Sequence, residues 1–401
     1  MRVTRLRLTD MRRFDAAELL AGPGLNLITG DNGAGKTTLL EALHLMAYGR
    51  SFRGRVRDGL IRQGAQALDV FVEWEEQLPV SDAGAWLAPG SFVTEARDET
   101  APAAMSASRV GEAAASRTRL RRAGLRHSGS DWTGRLDGAD VDHLGELCAA
   151  LAVVTFEPGS HALVTGGSEG RRRLLDWGLF HVEPDFLTPW RRYARALKQR
   201  NALLKARAPG SQLEPWEQEL ATSGEAVTRY REAHVASWEP LFGSAAAELL
   251  PAAGHATLAL QPGWRREELP LADALLLARE RDLAAGFTSV GPHRADWRID
   301  FTHIPGREAL SRGQAKLAAL ALLLSQAEHH VRLRGAWPVV ALDDLASELD
   351  RGHQRRVLDW LLATGAQLFV TGTEAPPALA GFGSLRLTKF HVEQGQLRPE
   401  A

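Results

Sequence analysis

Eight consecutive residues, Gly30-Asp31-Asn32-Gly33-Ala34-Gly35-Lys36-Thr37, carry the spacing G-x-x-x-x-G-K-[ST] of a phosphate-binding loop. Glycine lacks a Cβ, so such a loop can bring backbone N–H groups close to a polyphosphate. Lys36 is placed to reach the β- and γ-phosphates, and the Thr37 hydroxyl to ligate Mg²⁺. Thr38 opens the segment 38–46, whose apolar residues predict a helix with its apolar side inward. A helix starting there adds unpaired N–H groups and the positive end of its dipole. The chemistry on offer is the binding of a nucleoside triphosphate with Mg²⁺.

A second group of residues lies far along the chain. The apolar run 337–342 ends in Asp343 and Asp344. A carboxylate at the C-terminal end of a buried strand beside a phosphate loop can hold Mg²⁺ through water, which is the part given to Asp343. Asp344 follows where a general base would polarise an attacking water. Upstream, Ser311 and Gly313, with Gln314 next to them, precede the apolar stretch 318–324 and predict the N-terminus of a buried helix. Such an end is either a second anion site or an N-cap on a core helix.

These residues need elements to hold them. Leu25, Leu27 and Ile28 predict a short buried strand running into the loop, and 69–74 alternates as a strand does. Residues 1–8 also alternate, which suits a strand and not a leader peptide. In the segment 190–205, Trp190, Tyr193, Ala194, Leu197 and Leu204 recur at helical spacing and are expected to face inward. Arg191, Arg195, Lys198 and Lys205 recur on another side. That stripe, about four turns long, could neutralise DNA phosphates or be an ordinary solvated face. Further basic clusters are Arg50, Arg53, Arg55 and Arg57, and Arg117, Arg119, Arg121, Arg122 and Arg126. Gly291-Pro292-His293-Arg294 predicts a tight turn that fixes a junction between lobes.

Composition bounds the reading. With 401 residues and a formal net charge of −1, the chain has room for two domains or one large core with an insertion, and no global pull toward nucleic acid. Cys148 is the only cysteine, which excludes an intrachain disulfide and suits a reducing cytoplasm. No run of about 18 apolar residues predicts a membrane span, and no heptad run of coiled-coil length occurs.

Taken together, the motifs resemble the ATP-binding-cassette ATPases, and within them the SMC/Rad50-like branch. Leu310-Ser311-Arg312-Gly313-Gln314 looks like the family signature, with Arg312 where glycine is usual. The segment 346–350 looks like the D-loop, and 367–373 like the last strand and switch. The match narrows to the RecF family through Phe156-Glu157-Pro158, 170–178, 197–205, 288–296, 342–350 and 370–373, in the expected order. Departures exist. Asp344 stands where transporters carry glutamate, Gly372 and Thr373 occupy the switch position without a histidine, and Glu157 falls near the usual glutamine. Arg12 resembles an N-terminal arginine that touches phosphate, and Arg53 the arginine of a loop facing DNA; both could also be solvated surface arginines.

The resemblance implies an α/β fold: a P-loop ABC-type ATPase head with an inserted, mainly helical lobe and no long coiled coil. The expected division is 1–76 with the P-loop, an Ala/Ser/Gly-rich insertion at 77–119, remaining strands at 120–159, a helical lobe at 160–286, and 287–401 with signature, Walker B, D-loop and switch. It further implies ATP and Mg²⁺ as ligands, and a head-to-tail homodimer in which Ser311, Gly313 and Gln314 of one subunit complete the ATP site of the other. Duplex or gapped DNA and the partner RecR would follow, with slow hydrolysis governing release. Two alternatives stay open on the sequence: an ATP-binding structural clamp without significant hydrolysis, and the ATPase subunit of a transporter.

Overall fold

The alternating residues at the start of the chain form β1 (Arg2–Met11), which turns at Arg12-Arg13 into β2 (Phe14–Leu20). β3 (Leu25–Thr29) runs into the phosphate loop and helix α1 (Lys36–Tyr48). In the computed structural model, which describes residues 1–53, 59–77, 118–379 and 387–400, β4 (Leu68–Gln77) pairs antiparallel with both β1 and β5 (Thr118–His127). β6 (Trp132–Leu136) and β7 (Ala139–Asp140) complete an antiparallel sheet ordered β2-β1-β4-β5-β6-β7. Most of the insertion expected at 77–119, together with Arg55, Arg57 and Arg117, lies outside the described residues.

Helix α2 (Leu144–Ala150) leads to β8 (Val153–Phe156), after which the chain turns helical: α3 (Ala162–Thr165), α4 (Ser168–Val182), α5 (Leu187–Lys205) and α6 (Gly210–Leu249). The 40 residues of α6 span about 60 Å, and α5 packs back along it. β9 (Ala256–Gln261), α7 (Leu271–Ala285) and β10 (Asp296–Phe301) follow, with β9 and β10 paired antiparallel from Gln261 opposite Asp296 to Ala256 opposite Phe301. Across the boundary expected at 286/287, β10 pairs with a strand that packs on α6.

The return to the ATPase part begins with α8 (Arg312–Arg334) and continues through β11 (Val339–Leu342), α9 (Leu345–Glu348), α10 (Arg351–Thr364), β12 (Leu368–Gly372), β13 (Leu387–Glu393) and β14 (Gln396–Glu400). The second sheet is ordered β14-β13-β3-β12-β11-β8 and is parallel from β13 to β8. Its short central strands are buried on both faces, as covered parallel strands must be. Alternate residues serve two cores. Val154, Val340, Leu342 and Val370 face the helical lobe with Trp238 and Trp297. Val153, Val339, Ala341 and Phe369 face α1 and the antiparallel sheet with Phe14 and Trp74.

This sandwich corrects the picture of α1 as a one-sided helix. It lies between two sheets, so Leu39, Leu40, Leu43 and Met46 are all buried, and so is Glu41. A second correction concerns α5, where Ala194 is exposed and the inward stripe is Tyr193, Ala196, Arg200 and Leu204. Arg200 lies inward because it is neutralised there: its guanidinium meets Asp282 at 2.7 Å and Glu217 at 3.0 Å. Hydrophobic spacing alone cannot announce a buried arginine.

Candidate nucleotide site

Register brings the site together. Thr29 of β3 lies opposite Gly372 of β12, and Leu342 of β11 opposite Val370. The phosphate loop, Asp343 and Thr371 therefore emerge side by side at the C-terminal edge of the parallel strands, where open α/β sheets place ligands. Two loop glycines are demanded by space as well as dihedral. At Gly30 (φ 146°) a Cβ would sit 2.2 Å from the Val392 carbonyl oxygen, and at Gly35 (φ 121°) 2.8 Å from the Phe14 ring. Arg13, in the β1–β2 turn, braces the loop by donating to the Gly33 carbonyl at 2.8 Å.

Lys36 is buried, and its ammonium donates to the Gly30 and Asp31 carbonyls at 2.6 and 2.9 Å. Burial lowers its pKa, while Asp344, Asp343 and Asp31 act to keep it charged. The Thr37 hydroxyl donates to Asp343 Oδ1 at 2.9 Å, and Thr371 donates to the same oxygen at 2.7 Å. Burial pushes the Asp343 carboxyl up, with the two threonine hydrogen bonds pulling it back. A hydroxyl beside one carboxylate is a sparse oxygen set, which fits Mg²⁺ because that ion takes its remaining ligands from phosphate and water.

Asp344 adopts a left-handed conformation (φ 49°) at the start of α9. Its backbone N–H donates to Thr371 at 2.9 Å, and its carboxylate accepts from the Ser347 hydroxyl at 2.6 Å. Thr371 thus contacts both acids. It, not Gly372 or Thr373, is the residue at the end of β12 that reaches the site. The signal available was its place opposite Asp343 at a strand end, which required knowing the sheet order.

A cavity of about 320 Å³ lies over the loop, lined by Asn32, Gly33, Gly35, Lys36, Thr37 and Thr38 from the loop side, and by Asp344 and Thr371 facing them. Arg12, Arg13 and Arg53 also line it. Arg53, expected to face DNA, therefore belongs to this cavity. Gly30, Asp31 and Ala34 form the loop without lining it, and Asp343 lies beneath it at 3 % exposure. Ser311, Gly313 and Gln314 do not line it. Ser311 instead caps α8 in a reciprocal box, accepting from the Gln314 N–H at 3.2 Å while Gln314 Oε1 accepts from the Ser311 N–H at 2.9 Å. Ser311 and Gly313 are exposed.

The basic clusters separate once partners are seen. Arg119, Arg121, Arg122 and Arg126 on β5 are paired with Asp137, Glu76, Glu73 and Asp69 on neighbouring strands and turns. On α5, Arg191, Arg195, Lys198 and Lys205 are exposed, and that helix contains no acidic residue. Arg191 approaches Glu146 at 4.0 Å. The Gly291–Arg294 turn is fastened to the helical lobe: Tyr193 donates to His293 Nδ1 at 2.6 Å, and Arg231 to the Pro292 carbonyl at 2.7 Å. No group of three or more metal-ligating side chains occurs among the described residues.

Known proteins resemble this chain in sequence and in fold. Residues 2–380 match the family model described as the RecF/RecN/SMC N terminal domain. A DNA replication and repair protein RecF of Stenotrophomonas maltophilia (strain R551-3) is 60% identical over 397 residues, 99% of each chain. That of Xanthomonas axonopodis pv. citri (strain 306) is 58% identical, covering 100% of this chain and 99% of the relative. Among solved structures, the recombination mediator protein RecF-ATP in the RecFOR pathway superposes with a TM-score of 0.78 at 23% identity, covering 100% and 98% of the two chains. An Smc head bound to the C-winged helix domain of ScpA gives 0.52 at 14% identity, again over 100% and 98%.

Proposed function

The chain belongs to the RecF family of DNA replication and repair proteins, on the ABC-type ATPase head of the RecF/RecN/SMC group, and from that premise we propose that it is an ATP-switched recombination mediator. The observation that carries this reading is the convergence of Lys36, Thr37, Asp344 and Thr371 on one cavity, with Asp343 beneath it, while the Ser311 helix end stands exposed elsewhere. Half a site lies in each subunit, so two subunits in head-to-tail contact would complete two sites.

In the cavity, Lys36 exchanges its loop carbonyls for the β- and γ-phosphates. Thr37 and Asp343 would hold Mg²⁺, which would supply charge neutralisation on those phosphates. Asp344 orients the attacking water. Its side chain is short and already accepts from Ser347, which favours slow hydrolysis and a long-lived ATP state. The exposed α8 N-terminus of the partner subunit would bring N–H groups and its dipole to the γ-phosphate. The acid-free stripe of α5 is the surface offered to DNA phosphates, without base readout. Consistent with a family that acts in DNA repair, such a dimer would close on duplex at single-strand gaps and work with RecR to load the recombinase, serving repair, replication restart and the SOS response.

Nucleotide binding is tested with a fluorescent ATP analogue. Lys36→Met, which keeps the length of the side chain and removes its charge, is expected to abolish binding. Wild-type affinity in that variant would refute the site.

A further inference from the structure

Glu41 lies on α1, a little over one turn beyond Lys36, and is 0 % exposed. A carboxylate that deep is tolerated only when its charge is matched. Its partners come from two other segments. Arg12, at the β1–β2 turn, grips it with Nε at 3.1 Å and an Nη at 2.7 Å. Ser51 donates its hydroxyl to Glu41 Oε1, and accepts in turn from the Arg53 backbone N–H at 2.9 Å. The Arg53 guanidinium approaches Glu41 Oε2 at 3.9 Å. Arg12 and Arg53 both line the phosphate cavity, as Lys36 does.

We propose that Glu41 is a positioning residue that holds the Arg12 and Arg53 guanidiniums in the lining of the cavity, where they meet the phosphates. The argument is electrostatic and geometric. Lys36, Arg12, Arg13 and Arg53 are four like charges lining a cavity of about 320 Å³ in which Asp344 is the one acid among the described residues, and without a further counter-charge they drive one another outward. Glu41 stands behind both arginines, so it offsets that repulsion from the side away from the ligand. The turn at Arg12 is itself strained, with φ at 56°, and the bidentate grip of Glu41 holds that residue in a conformation a non-glycine residue seldom adopts. Through Ser51 the same carboxylate also fixes the backbone that carries Arg53. Glu41 touches no phosphate; it acts through the two arginines.

This inference rests on the ATP-binding reading, and the experiment separates the two. Affinity for a fluorescent ATP analogue is measured for the full chain, Glu41→Gln, Arg12→Ala and the double variant. Glu41→Gln is expected to weaken binding about tenfold, the loss of a charged hydrogen bond, and to weaken it by less than about threefold in the Arg12→Ala background. Glu41→Asp, which restores the charge on a shorter arm, is expected to recover part of the affinity, whereas a packing role would lower the melting temperature of both variants without that recovery. Should Glu41→Gln fail to fold, Glu41→Asp and Ser51→Ala carry the same cycle with Arg12→Ala. A wild-type chain that binds, beside a Glu41→Gln variant of unchanged affinity or losses that multiply in full, overturns the positioning role alone. A wild-type chain that does not bind overturns the ATP reading beneath it.

Discussion

His234 and His329 face each other where α6 meets α8, with ring centroids 4.6 Å apart, and His330 lies buried beside them in sequence. His234 shares a hydrogen bond with Gln326, His329 with Ser237, and His330 with the Ala336 carbonyl. Burial pushes their pKa values down to about 3 for His234 and His330 and about 4 for His329. In the unfolded chain each titrates near 6.5. The unfolded state therefore takes up protons first, and stability falls as pH drops from about 6.5 toward these folded values. At pH 5 His234 and His330 each remove on the order of 2 kcal/mol, a large share of ordinary domain stability. The melting temperature is expected to drop steeply between pH 7 and 5; a flat profile there would show that these rings accept protons in the folded state. None of this was legible from isolated histidines in a sequence. The same holds for Glu41 and Thr371, whose meaning comes from partners far along the chain. Lys36, Thr37 and Asp343 were legible because a fixed local spacing, or a strand ending in acids, carries the chemistry within a few residues.

Among the elements, α8 shows how a local rule and a proposed functional role can fall on one residue. Ser311 and Gln314 satisfy the end of the helix through their own capping box, so the sequence signal for an N-cap and that for a signature motif are the same signal. What separates them is place: this helix end is exposed and apart from the cavity of its own chain. Ser311→Arg is expected to cost about 1 kcal/mol of capping and to leave ATP affinity unchanged, while blocking ATP-driven dimerisation as seen by sedimentation. A variant that still dimerises would remove Ser311 from the partner's site. The helix α5 was read less well. Its charged face is where the spacing put it, but its inner face includes Arg200 in place of Ala194, because ion pairs with Glu217 and Asp282 outweigh the hydrophobic pattern.

At the scale of the molecule, one sheet edge collects residues from the beginning and the end of the chain, and the helical lobe is threaded between them. Motif order made this split fold legible, since a P-loop near the start and acids near the end must meet at one edge of one sheet, here on β3 and β11 with β12 between them. The pairing of β9 with β10 was not, because two short strands far apart in sequence carry no mutual signal. The central claim is that ATP joins two such heads on duplex DNA. It is met most directly by light-scattering mass without nucleotide, with ATP and with ADP, each with and without duplex. The account predicts a dimer with ATP alone among these nucleotide states, strengthened by duplex; a monomer under every condition would contradict it.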